Sequence, residues 1–141
     1  MIILDTNVIS ELINRVAEAR VIAWADRQRR GQLLTTSITV LELRSGAEKL
    51  ENSRRKRQLE SDIEWALDDL IGGRILNFDR RAAYETAAWL AHCRRVGRIV
   101  DTRDAQIAGI ALARNIPIAT RDTDHFANLA VRVINPWDVS D

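Results

Sequence analysis

Four acids stand out from this 141-residue sequence because of where they fall. Asp5 ends the apolar run Ile2, Ile3, Leu4 at once. Asp122 follows the apolar stretch "IPIAT" of residues 116–120. Glu42 and Asp104 lie inside helical patterns. Carboxylates that converge without compensation repel one another, so they take up protons or hold a cation. Oxygen-only ligands select a hard ion such as magnesium or manganese. The natural work of such a centre is metal-assisted attack of water on a phosphodiester.

Each acid also has a plainer reading. Asp5 suits the N-cap of a following helix, and Asp122 suits a turn. Asp104 fits the spacing of a capping box with Asp101 or Thr102 in "DTRD". Its helical angle says more. With Asp104 at zero, Ala111 falls at about −20°, Ala108 at about +40°, Ile107 at about −60° and Leu112 at about +80°. An acid in the first turn and mid-stripe faces the sheet, where the helix dipole helps hold its charge. Glu42 lies roughly 120° from the side marked by Val40, Leu43, Ala47 and Leu50. That angle suits solvent or a cleft equally, and Ser45 and Gly46 leave room for a neighbour.

Elements must bring these acids together. Short apolar runs at residues 2–5, 32–36, 74–78, 116–120 and 131–135 read as strands covered on both faces. Helical patterns run over 6–13, 16–30, 38–50, 57–71, 80–96 and 102–115. Ser37 is placed to cap the third, and Leu59, Ile63, Leu67, Leu70 and Ile71 form the stripe of the fourth. Alternating strands and helices imply an α/β fold with a parallel sheet and right-handed crossovers. Sites in such sheets form beyond the carboxyl ends of strands, where strand order reverses. No linker, repeat or low-complexity tract interrupts residues 1–141, which read as a single domain.

Composition narrows the function. Net charge is +1, which signals no polyelectrolyte partner. Nineteen of the 21 basic residues are arginine, the lysines being Lys49 and Lys56. One cysteine, Cys93, and two histidines, His92 and His125, argue against a cysteine/histidine zinc site. The N-terminus has no basic leader and no stretch is long enough to span a bilayer, so the chain reads as cytoplasmic. A receiver-like phospho-acceptor would want a lysine after a late strand. A haloacid-dehalogenase phosphatase would want an acid where Asn7 stands.

In order along the chain, "IILDTNVISEL", "TTSITVLELRSGAEKL", "GRILNFD", "GRIVDTRDAQIAGIA", "IPIATRDTDHF" and "VINPW" resemble the PIN-domain ribonucleases. The nearest likeness is to the VapC/FitB-type toxins of bacterial toxin–antitoxin pairs, over essentially the whole chain. The resemblance implies a five-stranded parallel sheet of order 3-2-1-4-5 flanked by helices. It implies an acidic quartet of Asp5, Glu42, Asp104 and Asp122. Asp5, Asp104 and Asp122 would be the principal magnesium ligands, manganese being possible, and Glu42 would act partly through water. Thr6, Asn7 and Thr120 would support them. Many relatives carry asparagine at the place of Asp122 and aspartate at that of His125; here Asp124 stands one step earlier, so the fourth acid is Asp122 or Asp124.

The implied activity is RNA cleavage leaving a 5′-phosphate and a 3′-hydroxyl. The implied partners are RNA, a second copy of the chain, and an inhibitory antitoxin that fills the cleft and alone contacts operator DNA. The competing expectation is a catalytically silent co-repressor working with its antitoxin. "SRRKRQ" (53–58) and Arg94, Arg95 and Arg98 form either a phosphate-guiding rim or solvated helix faces. Trp65 and Trp89 project away from the expected apolar stripes and suggest an interface.

Overall fold

A computed structural model describes residues 1–138. Five short strands form one sheet of order β3-β2-β1-β4-β5, all neighbours parallel. They are β1 (Ile2–Leu4), β2 (Leu33–Thr36), β3 (Ile75–Leu76), β4 (Ile118–Ala119) and β5 (Val133–Ile134). The six α-helices are α1 (Thr6–Leu12), α2 (Ala19–Asp26), α3 (Ser37–Glu48), α4 (Arg54–Trp65), α5 (Arg80–Arg95) and α6 (Thr102–Arg114). β1 is central, so both its faces must be apolar. Ile3 joins a cluster with Leu34, Ile110 and Ile118, whereas Leu4 joins Val8, Leu33, Ile63 and Ala119 on the other face. This is the period-two alternation of a strand. Burying Ile3 and Leu4 stabilises by about 1.5–3 kcal/mol each.

The strand order and every expected element are present, but several boundaries and one side chain differ. The helix expected over 16–30 is confined to Ala19–Asp26. Before it, Asn14 Oδ1 accepts the Val16 N–H at 3.1 Å and Glu11 Oε1 accepts the Glu18 N–H at 2.7 Å. These side chains compete with helical bonding. Thr36, not Ser37, caps α3, its Oγ1 accepting the Thr39 N–H at 3.1 Å. α4 passes into a π-helical turn, Ala66–Leu70, in which Ile71 N–H donates to Ala66 at 2.8 Å. The widened turn keeps Ile63, Leu67 and Ile71 on one buried face.

Trp65 is half exposed, as its angle suggests, but Trp89 is 6% exposed and is not an interface residue on this surface. The α5 stripe is Ala82, Thr86, Trp89, Cys93, spaced by four, three and four. That stripe packs on α6, so the tryptophan belongs to the core. Its ring stacks with His92 at 5.5 Å, and the Arg98 guanidinium lies 5.7 Å from its centroid.

Candidate metal centre

The reversal of strand order lies between β1 and β4, where Ile3 pairs with Ile118 and Leu4 with Ala119. Asp5 and Thr120 therefore leave the sheet side by side. Asp5 N–H donates to Ala119 at 2.9 Å, which fixes the strand end. Asp5 is 4% exposed. Its Oδ1 accepts the Thr6 N–H at 2.8 Å, so it does cap α1. Its Oδ2 accepts the Thr120 hydroxyl at 2.8 Å and the Asn7 amide at 3.4 Å. Burial pushes the Asp5 pKa up to about 6. The bonds from Thr120 and Thr6 pull the other way, and the charges of Asp104 and Glu42 add to the rise.

Asn7 ties this corner together. Its Nδ2 also reaches Asp122 Oδ2 at 3.1 Å and Thr120 Oγ1 at 3.3 Å, while its Oδ1 accepts the Arg121 N–H at 3.1 Å. The Asp122 N–H donates to Thr120 Oγ1 at 3.1 Å. Glu42 turns inward from α3: its Oε1 accepts the Thr6 hydroxyl at 3.0 Å, and Thr39 Oγ1 lies 3.1 Å from the same hydroxyl. Burial raises the Glu42 pKa, against the Thr6 bond, and Asp104 raises it further. Asp104, in the first turn of α6, is raised chiefly by burial while His125 opposes. His125 Nδ1 lies 2.9 Å from Asp104 Oδ2.

Asp5, Glu42, Asp104 and Asp122 all line one cleft of about 460 Å³. Asp124 faces a neighbouring recess of about 240 Å³ with Asp104 and His125. The donors facing the cleft are oxygens, and three carboxylates carry raised pKa values that a bound hard cation would relieve. In donor type the cleft fits magnesium or manganese. Among the described residues, no three carboxylate, imidazole or thiol groups converge at ligand distance as their side chains stand. Asp104 is bonded to His125, and Asp5 and Asp122 meet through the Asn7 amide rather than directly.

Sequence reasoning overlooked Thr39, and gave no role in the site to His125 or to the Trp137 of "VINPW". Thr39 sits one turn before Glu42 on α3, so its helical position was the available signal. The basic rim divides. Arg54 and Arg55 line a groove of about 690 Å³ that shares Thr6 and Glu42 with the acidic cleft. Arg98 is committed to backbone, donating to the carbonyls of Ala127 and Asp124, each at 2.8 Å. It holds the Thr123–Phe126 turn against the end of α5.

This sheet order, with acids gathered at the β1/β4 reversal, defines a class. Residues 2–132 match the PIN domain, and the chain belongs to that family. Within it, the chain is 42% identical to the plasmid stability protein StbB of Pseudomonas syringae pv. tomato, covering 98% of this chain and 99% of that protein. It is 36% identical to the VapC ribonuclease Y4jK of Sinorhizobium fredii over the same shares. The crystal structure of FitAcB from Neisseria gonorrhoeae superposes with a TM-score of 0.89 at 37% identity, covering 99% of this chain and 100% of that one.

Proposed function

We propose that this chain, as a single PIN domain, is a magnesium-dependent endoribonuclease acting as the toxin of a toxin–antitoxin pair. The observation that carries the reading is the meeting of Asp5, Glu42, Asp104 and Asp122, from four separate segments, in one cleft. Likeness to a protein named as a VapC ribonuclease supports the substrate class. Asp5, Asp104 and Asp122 would hold magnesium, or manganese, with Glu42 reached through water. When bound, the ion would supply Lewis acidity, acidifying water and neutralising charge on the phosphate. Thr120 and Asn7 orient the Asp5 and Asp122 carboxylates. Thr6 fixes Glu42 through Oε1, which leaves Oε2 to take the proton of the attacking water. Hydrolysis would leave a 5′-phosphate and a 3′-hydroxyl.

The partner of this reading is a cognate antitoxin that blocks the cleft, in a hetero-oligomer built on a toxin homodimer. Any contact with operator DNA would pass through the antitoxin. Among the described residues no helix is long and apolar enough to cross a membrane, which accords with action in the cytoplasm. The test is cleavage of cellular RNA by the purified chain in magnesium, with its new 5′ ends mapped. The expected result is cleavage leaving 5′-phosphates, lost in excess chelator and lost in a folded Asp5→Asn variant. Undiminished cleavage by that variant, or in chelator, would overturn the reading.

A further inference from the structure

Among the described residues, Arg121 is the only arginine or lysine lining the acidic cleft. Its side chain is exposed, and its guanidinium lies 5.1 Å from the centroid of the Trp137 ring. Both ends of this contact are anchored. The Arg121 N–H donates to Asn7 Oδ1, the same side chain whose amide meets Asp5 and Asp122. The Trp137 N–H donates to Asn135 Oδ1 at 3.0 Å, and Arg20 Nη1 donates to the Trp137 carbonyl at 3.5 Å. Trp137 is half buried and packs on the core cluster of Leu4 and Ile134.

A cation beside Asp5, Glu42, Asp104 and Asp122 in one cleft would ordinarily close an ion pair. Among the described residues, no carboxylate lies within ion-pair distance of Arg121. The acids have other partners: Thr6 and Thr120 on Asp5, Thr6 on Glu42, His125 on Asp104 and Asn7 on Asp122. The guanidinium is thus held by an aromatic face, which fixes its place but leaves its N–H donors free. A planar donor fork of this kind matches the oxygens of a phosphate.

We propose that Arg121, seated on Trp137, is a phosphate-binding subsite on the rim of the acidic cleft, and that it takes a phosphodiester of the RNA strand next to the bond that is cut. The proposal rests on the nuclease reading for its ligand. It explains how a polyanion approaches a cleft lined by carboxylates: a fixed cation at the mouth, added to the charge of Arg103 near Glu42 and to the Arg54 and Arg55 groove, offsets their repulsion for the strand and sets its register. A salt partner for the acids would have closed onto one of them. A structural arginine would have spent its donors on backbone carbonyls, as Arg98 does.

The test uses the full chain in the Asp5→Asn background, in magnesium, with a short mixed-sequence single-stranded oligoribonucleotide as probe. Affinity is measured by fluorescence anisotropy across a range of salt. Arg121→Ala should weaken binding about tenfold, the scale of a hydrogen bond to a charged group. It should also flatten the slope of log affinity against log salt by about 0.7, one phosphate of a single strand. Trp137→Leu should weaken binding less and leave the slope near the parent's, because the charge remains. Should Arg121→Ala fail to fold by its thermal melt, Arg121→Gln carries the same expectation. Unchanged affinity and slope would overturn the subsite, leaving Arg121 as a charge balance or a contact for a partner protein. The nuclease reading fails separately. If the unsubstituted chain cuts no RNA in magnesium while Arg121→Ala still flattens the slope, the subsite stands alone. If it cuts RNA and Arg121→Ala cuts equally well at every salt concentration, the subsite falls alone.

Discussion

Asp5 does two jobs at once, capping α1 with one oxygen and lining the cleft with the other. Its pKa of about 6 against 3.8 when unfolded means the metal-free folded state holds the proton more tightly. The sign follows from linkage: the stabilising contribution is full below the unfolded pKa and is lost as pH rises through the folded one. The amount is about 3 kcal/mol over the whole span from below the unfolded pKa to above the folded one. In chelator, the melting temperature should therefore climb as pH falls from neutral towards Asp5's unfolded pKa, and Asp5→Asn should flatten that climb. A parent that melts lower throughout the same descent would contradict it. Asp104, also raised by burial, should behave alike: Asp104→Asn should melt above the parent in chelator at neutral pH, the gap closing in acid. Magnesium should raise the parent's melting point more than the variant's. Asp122→Ala should cost more RNA cleavage than Asp124→Ala, since Asp122 faces the cleft and Asp124 the neighbouring recess; a cleavage assay of both variants ranks them. Asp104 was legible in sequence because an acid on an apolar stripe is anomalous. Glu42 was not, because its angle on α3 suits water or a cleft, and only the Thr6 hydroxyl across from it decides.

Helix α6 delivers Asp104 only if it seats closely on α5, and that seat is Gly109. A methyl group there would meet Thr86 Oγ1, and the Ala82 carbonyl at 2.6 Å. Thr86 cannot easily yield, since its hydroxyl donates to Ala82 at 2.7 Å and lies 3.2 Å from the Ala105 carbonyl. Alanine normally favours a helix over glycine by about 1 kcal/mol, yet Gly109→Ala should destabilise by about 1–3 kcal/mol through overpacking. Denaturant melts give the sign, and a more stable variant would show that the two helices have slack. The same contact explains what sequence reading got wrong about α5. The expected apolar stripe left Trp89 facing outward, whereas the buried line runs through Ala82, Thr86 and Trp89. Alanine-rich helices give a weak periodic signal, so α6, not α5's own composition, chooses the buried face. The strands were easier, because an apolar run bounded by turns needs no partner to be recognised. Their paired cores are only two to four residues long, and the ends expected beyond them lie past the last register pairs. The closure of α6 at Asn115, which adopts φ 54, agrees with the stop expected before Pro117.

Across the whole molecule, the alternation of strands and helices was enough to give a parallel sheet, the resemblance supplied its strand order, and the position of the cleft follows from that order. What pattern could not supply is the side-chain web, in which Asn7 joins the two strand ends. With every cleft-facing donor an oxygen, activity should return to a chelated sample with magnesium or manganese and poorly with zinc; restoration by zinc alone, read in the same RNA assay, would count against the oxygen site. The central place of β1 has a further outcome in time. Asp5 leaves the ribosome well before its bonding partner Thr120, which lies 115 residues later, as does Asp122 from Asn7. β1 cannot pair with β4 until residues near Ile118 have emerged, since parallel pairing at such range must wait for both strands. The acids therefore stay scattered along the growing chain until those residues have been made. A nascent chain travels past the ribosome's own RNA with its cleft unassembled, and the cleft closes only once the segment carrying Thr120 and Asp122 has emerged.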